Sequence, residues 1–265
     1  MNAIPDAPRW VDFHCHLDLY KEHAALIGRC DEEKIATLGV TTTPKAYRRN
    51  VEMASASEFV MVGLGLHPQL ISERSGELSL FEKLLPEARF VGEIGLDAGS
   101  KFYSSFDEQI RIFEYILRAC DEQGGKVMSI HSVRCVSKVL QHLERCLLSG
   151  RCTPVMHWFT GTKSEANRAS SLGCYFSVNA EMVASQKAQS LLRSLPIDRI
   201  LTETDGPFVQ RDGRPIIPSD IPNTVELLAD LLGINVGQMA SQLLKNLATL
   251  RGDKSHMHES QSRLF

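Results

Sequence analysis

Short runs of β-branched and apolar residues alternate along this chain with segments whose apolar positions recur at helical spacing. Eight such runs predict strands: Trp10–Cys15, Thr37–Thr43, Phe59–Leu66, Arg89–Leu96, Lys126–Ile130, Pro154–Trp158, Cys174–Val178 and Arg199–Thr202. Between them the clearest helical stripe is Phe106, Ile110, Phe113, Leu117 and Cys120, spaced four and three residues apart. Ser105 with Glu108 predicts a capping box at its start, and Gly124-Gly125 predicts its end. Thr162 with Glu165 repeats the capping signature before a short helix over Ala166–Leu172, which Gly173 stops.

Parallel strands cannot be joined by tight turns, because each crossover needs an element long enough to return the chain to the starting edge. Eight strand-helix alternations therefore predict a (β/α)8 TIM barrel. No linker, repeat or low-complexity tract interrupts the alternation, so residues 1–251 read as one barrel. After the last expected helix, Val236–Leu250, residues 252–265 read as a polar C-terminal tail.

Composition narrows the class. A chain of 265 residues that is 43% hydrophobic and 23% charged is neither disordered nor fibrous. Its formal charge of −3 excludes coating long nucleic acid by bulk electrostatics. Seven cysteines without a CxxC pair fit reduced thiols, and the first residues lack a basic start followed by an apolar run, so a cytoplasmic protein with no membrane partner is expected.

Candidate chemistry gathers at the C-terminal ends of the predicted strands. His14 and His16 follow the first, His67 the third, Glu93 lies in the fourth, His131 and His157 close the fifth and sixth, and Glu203 and Asp205 follow the eighth. In a β/α barrel those ends surround one pocket. The two residues of an HxH pair point to the same face of a strand and are placed to share one ion. Three carboxylates near a barrel mouth need counter-charge, which divalent cations provide. Mixed nitrogen and oxygen donors suit Zn²⁺, Mn²⁺ or Mg²⁺, and a histidine-rich set leans away from an all-oxygen Mg²⁺ site. His23, His142, His256 and His258 fall outside this group.

The segments VDFHCHLD, GLHP, VGEIGLD, SIHS, HWFTG and LTETDGPF, in this order, resemble the TatD family of metal-dependent deoxyribonucleases, from about Val11 to Leu250. The resemblance implies a TIM barrel of the metal-dependent hydrolase type, amidohydrolase-like, with two or more divalent ions and a DNA substrate. It also implies His14 and His16 as one metal pair, Glu93 as the bridging carboxylate, His131 and His157 as ligands of a second ion, and Asp205 as both ligand and catalytic acid-base. Glu203 is implied in metal or leaving-group contact, and His67 near the scissile phosphate. Members occur in anti-phage defence operons, where other subunits of a complex would be partners. This chain departs from the common pattern at Arg134, one residue late for an HxR motif, at Gln69 where a second histidine is frequent, and at Ala98-Gly99 where aromatics are frequent.

Substrate contacts are expected from Lys101, Arg134, Lys163, Arg211 and Arg214 on phosphates, and from Phe102, Tyr103, Trp158 or Phe208 under unpaired bases. Two other readings remain open. The same metal set could serve an acyl hydrolase or deacylase, for example on aminoacyl-tRNA, or the barrel could be a non-catalytic subunit of a defence complex.

Overall fold

The computed structural model describes residues 7–252. The tail expected beyond Gly252, with His256 and His258, lies outside the described residues. Eight strands form one parallel sheet in sequential order: β1 Trp10–Cys15, β2 Ile35–Val40, β3 Val60–Leu64, β4 Phe90–Asp97, β5 Val127–Val133, β6 Thr153–His157, β7 Tyr175–Val178 and β8 Ile200–Thr202. Around them run α1 His23–Glu33, α2 Pro44–Ala54, α3 Ile71–Arg74, α4 Leu78–Leu84, α5 Phe106–Gln123, α6 Val136–Cys146, α7 Lys163–Ser171, α8 Ala180–Ala184, α9 Gln186–Leu192, α10 Ile221–Leu232 and α11 Val236–Arg251. This is the expected β/α barrel. Among the described residues no helix is long and apolar enough to cross a membrane.

Alternation along the strands builds two environments. On β1, Val11, Phe13 and Cys15 turn outward to the helices, while Asp12 and His14 turn inward. Val11 and Phe13 join the main apolar core with Leu38, Met128, Phe176, Phe113, Leu117, Leu140 and Leu228, all buried, while Cys15 packs in a smaller cluster with Leu17, Leu26, Ile27 and Ala54. The upper interior is polar: Asp12, His14, Glu93, Ser129, His131, His157, Ser177 and Glu203 are all buried. A barrel interior is normally packed with branched apolar residues, so a polar upper layer marks where the chemistry lies.

The seam between β8 and β1 is closed largely by bonds just beyond the strands. Thr204 donates its backbone N–H and its hydroxyl to Asp12 at 2.8 and 2.7 Å, and the Thr202 hydroxyl donates to the Val11 carbonyl. Asp205 N–H donates to the His14 carbonyl at 2.8 Å, and His16 N–H to that of Gly206 at 2.8 Å. The two histidines of the HxH pair and the acid of the eighth loop are thereby locked in one frame.

Several local expectations are corrected. β2 starts at Ile35 and stops at Val40; beyond it the Thr41 N–H is shared between the Gly63 and Gly92 carbonyls, and its hydroxyl donates to Gly63 and accepts from the Gly65 N–H. β5 runs on to Val133, so His131 sits within a strand rather than at its end. β3 stops at Leu64, so His67 belongs to the loop after it. The Ser105–Glu108 capping box does not form: the Ser105 hydroxyl donates to the Phe102 carbonyl in a tight turn, and Glu108 pairs with Arg111. The Thr162–Glu165 box does form, at the start of α7. The buried face of α5 includes Ile112 and Ile116, which the expected stripe omitted, with Phe106 and Ile110 at its edge.

Candidate metal centre

Glu93 lies at the centre of the polar layer and is 1% exposed. Its Oε2 faces three imidazole nitrogens: His14 Nε2 at 3.4 Å, His16 Nε2 at 3.2 Å and His67 Nε2 at 3.2 Å. None of these makes a hydrogen bond with it, so Oε2 is a buried carboxylate oxygen without a partner. Its Oε1 meets His131 Nδ1 at 2.6 Å and lies 3.7 Å from His157 Nε2. Asp205 Oδ1 adds a second carboxylate, 3.5 and 3.6 Å from the Nε2 atoms of His14 and His16. Two of those nitrogens, on His14 and His16, face each other at 3.3 Å. Lone pairs of both donor types converge here, which is an arrangement for cations.

The orientation of each imidazole is set from behind. Ser129, two residues before His131 on the same strand face, holds His14 Nδ1 at 2.7 Å. Glu203 holds His157 Nδ1 at 3.0 Å and also accepts from Asn179 Nδ2, the Ser177 hydroxyl and the Trp158 backbone N–H. Four donors saturate this wholly buried carboxylate, and it does not line the cavity. His67 Nδ1 accepts the Gln69 backbone N–H at 3.1 Å, which leaves Nε2 as its N–H donor, pointing at Glu93. Trp158 and Asp205 both take left-handed backbone conformations, φ 38° and 49°, costly for non-glycine residues and concentrated in proteins at functional positions.

The charges follow this geometry. Burial opposes a proton on His16, but Asp205 and Glu93 outweigh it and hold its pKa up at about 9. His157 is likewise penalised by burial, yet Glu203 and Asp205 push it up to about 10. His131 is raised against its own burial by Asp97 and Glu93. Burial would raise Glu93 and Asp205, but the surrounding imidazoles pull both below the ordinary carboxylate range. Burial dominates at His14 and His67 and lowers both. Protons on three imidazoles thus balance the carboxylates, and divalent cations can replace them. His14, His16 and Asp205 form one possible ligand group; His67, Glu93 and His131 form another; His14, His157 and Glu203 form a third.

Ligation requires neutral imidazoles, so cation uptake must expel protons from His16 and His157. Affinity should fall as pH drops from about 9 toward 6, because both groups are increasingly protonated below pKa values near 9 and 10. Calorimetric titration with Mn²⁺ or Zn²⁺ in two buffers of different ionisation heat should show proton release. Uptake without it would remove these two histidines from the ligand set.

Above the centre opens a cavity of about 330 Å³, with His16, Glu93, His131 and Asp205 in its floor and Trp158 and Phe208 among its wall residues. The Phe208 ring meets His16 edge-on at 5.0 Å and stays 61% exposed. Lys101 and Arg134, expected on phosphates, do not line it: Lys101 lies with Nζ 5.2 Å over the Phe102 ring, and Arg134 is exposed. Arg211 and Arg214 are committed to Asp220, at 2.5 and 2.6 Å. Sequence reasoning missed Asp97 and Ser129 as parts of the centre, although Asp97 stood in the quoted VGEIGLD segment, and it noted Gln69 only as a departure from the common pattern.

A parallel barrel carrying buried histidines and carboxylates at the C-terminal ends of its strands defines a metal-dependent hydrolase. The family model described as TatD related DNase matches residues 11–252, so the chain belongs to that family and is a metal-dependent hydrolase acting on ester bonds. It is similar to the uncharacterized metal-dependent hydrolase YjjV of Escherichia coli K12, 27% identical over 257 residues that cover 91% of this chain and 97% of the relative. It is also similar to the 3'-5' ssDNA/RNA exonuclease TatD of Erwinia tasmaniensis, 30% identical over 199 residues covering 70% of this chain and 76% of that one. The crystal structure of E. coli YjjV superposes with a TM-score of 0.82 at 25% identity, covering 91% of this chain and 97% of that chain.

Proposed function

We propose that this hydrolase cleaves phosphodiester bonds of DNA from unpaired strand ends, using two divalent ions shared through Glu93. The observation that carries this reading is the cavity itself. It places two carboxylates and four imidazoles under an opening walled by Trp158 and Phe208. Its 330 Å³ lies at the lower end of ligand pockets, roughly 300–1,000 Å³, which suits one nucleotide and not a stacked duplex. Among the described residues no Lys or Arg lines it, so an anionic substrate must be neutralised by ions and by N–H donors. A name given to one relative, ssDNA/RNA exonuclease, points the same way.

His14, His16 and Asp205 would hold one ion, His131 and His157 the other, with Glu93 between them. When bound, such ions act as Lewis acids that polarise a phosphoryl oxygen and lower the pKa of water. The protein's own groups do the rest. Asp205, ionised and fixed through its backbone to His14, orients the attacking water and accepts its proton. The His67 Nε2–H, fixed by the Gln69 N–H on its other nitrogen, donates toward a non-bridging phosphate oxygen. Glu203 keeps His157 in the tautomer whose Nε2 faces the centre. Trp158 and Phe208 stack against the terminal base, a contact worth about 1–3 kcal/mol per base. The free thiols of all seven cysteines agree with a cytoplasmic setting, which we assign on that ground.

The test pairs substrates. Protein reconstituted with Mn²⁺ or Zn²⁺ should degrade a single-stranded oligonucleotide and frayed ends much faster than a closed circular duplex. Equal rates on both would contradict entry from unpaired ends. Inactivity on DNA with release of the amino acid from mischarged tRNA would instead make the protein an acyl hydrolase.

A further inference from the structure

His131 differs from the other ligand histidines in the group that stands behind it. Its Nδ1 faces Glu93 Oε1 at 2.6 Å, and its Nε2 meets Asp97 Oδ2 at 3.0 Å. Asp97 belongs neither to the ligand groups nor to the cavity wall. Its carboxylate is held on every side. Oδ2 also accepts from Gln69 Nε2 at 2.8 Å, and Oδ1 accepts the Gly99 N–H at 2.7 Å. Its backbone N–H donates to Gln109 Oε1 at 2.8 Å, and buried Gln109 is tied in turn to the Phe102 carbonyl.

Glu93 and Asp97 are both carboxylates that can only accept, so without a cation His131 holds a hydrogen toward each; a cation at the centre displaces the one facing Glu93, while Asp97, held by Gln69 and Gly99, keeps the one on Nε2. That leaves the Nδ1 lone pair for the centre. A ring flip would set carbon atoms against both Asp97 and Glu93, so the orientation is fixed along with the tautomer. We propose that Asp97, clamped by Gln69, is the positioning residue that commits His131 to bind its cation through Nδ1. The proposal rests on the reading of His131 as a ligand. It also gives a role to Gln69: the side chain that stands where a second histidine is frequent lines the cavity but donates its amide N–H to Asp97. Outer carboxylates of this kind orient ligating histidines, raise their basicity, and typically contribute about 10–100-fold in metal affinity.

The first test needs no turnover. In the full chain, ¹⁵N-labelled at histidine and loaded with Zn²⁺, long-range ¹H–¹⁵N correlation should show His131 protonated at Nε2 and zinc-bound at Nδ1. A zinc-bound Nε2 overturns the proposal. In the second test, Asp97→Ala should weaken one of two bound Zn²⁺ ions by about 10–100-fold and leave the other unchanged. Asp97→Asn, whose amide oxygen can still accept from Nε2–H, should lose less and keep the tautomer. Gln69→Leu should fall between wild type and Asp97→Ala. If Asp97→Ala fails to fold in chelator by circular dichroism, the Asn and Leu variants and the wild-type spectrum decide. Wild-type zinc affinity in both Asp97 variants overturns the role of Asp97 alone. A wild-type chain that binds no zinc removes His131 as a ligand and takes the proposal with it.

Discussion

With Glu93 bridging two ions as proposed, Glu93→Ala should all but end hydrolysis and strip the protein of both ions. No other side chain of the centre faces so many partners, with one oxygen toward His14, His16 and His67 and the other toward His131 and His157. A bridging carboxylate also screens the repulsion between two cations, so its loss weakens each site separately. Lewis-acid stabilisation by bound ions is worth several kcal/mol, and each 1.4 kcal/mol is about tenfold in rate, so turnover should drop by about 10³-fold or more. The backbone should keep its place, because the Glu93 N–H to Thr41 and Leu66 N–H to Glu93 carbonyl bonds do not involve the side chain. Removing one member of a buried charged group can cost about 3–5 kcal/mol when the partners stay charged. Here the imidazoles can shed their protons, so the metal-free variant should gain in relative stability as pH rises and the histidines become neutral. Elemental analysis after reconstitution, with thermal unfolding in chelator at two pH values, checks both halves. Retention of two ions by Glu93→Ala would end the bridging assignment, and Glu93→Gln, which keeps the volume, separates charge from packing.

The barrel and most of the candidate site were legible in the sequence for a definite physical reason. Parallel strands buried on both faces leave runs of Val, Ile, Leu and Phe, and in a barrel the chemistry must appear where those runs end. His14 and His16 show their common direction through spacing alone, and Asp205 stands in the LTETDGPF segment just past the eighth run. What stayed hidden depends on contacts between segments far apart in the chain. Ser129 and His14 are 115 residues apart, and neither residue type nor spacing announces their bond. Glu203 sits two residues from Asp205, yet one saturates its carboxylate on Ser177, Asn179 and His157 while the other opens on the cavity. Periodicity cannot separate them, because in the loop after β8 the direction of each side chain is set by the left-handed turn at Asp205 and not by strand alternation. The basic residues were misplaced for a similar reason: Arg211 and Arg214 flank a hairpin that returns them to Asp220, a closure that charge counting cannot show.

Asp205→Asn should separate chemistry from folding. The carboxylate is 5% exposed, aimed at His14 and His16, and held ionised because the imidazoles of His157, His16 and His14 overcome its burial. An amide of the same shape keeps hydrogen-bonding capacity but loses the negative charge and the proton affinity. General-base assistance is typically worth about 10²–10⁴-fold, so turnover on a DNA oligonucleotide should fall at least that far. The fold should survive for two reasons. Asparagine is, with aspartate, among the non-glycine residues that tolerate the left-handed conformation this position requires, φ 49°. The main-chain bonds that close the seam, Asp205 N–H to His14 and His16 N–H to Gly206, do not use the side chain. The charge does have a stability consequence with a definite sign. A carboxyl whose pKa is lower in the folded protein than in the unfolded chain contributes stability above its unfolded value, about 3.9, and loses it as pH falls through the lower folded one. In chelator, wild type and Asp205→Asn should therefore differ most at neutral pH and converge in acid, while both remain folded at pH 7. Wild-type turnover in the variant would show that another group takes the proton. Unfolding of the variant in chelator, where wild type stays folded, would show that Asp205 holds the seam and not the reaction.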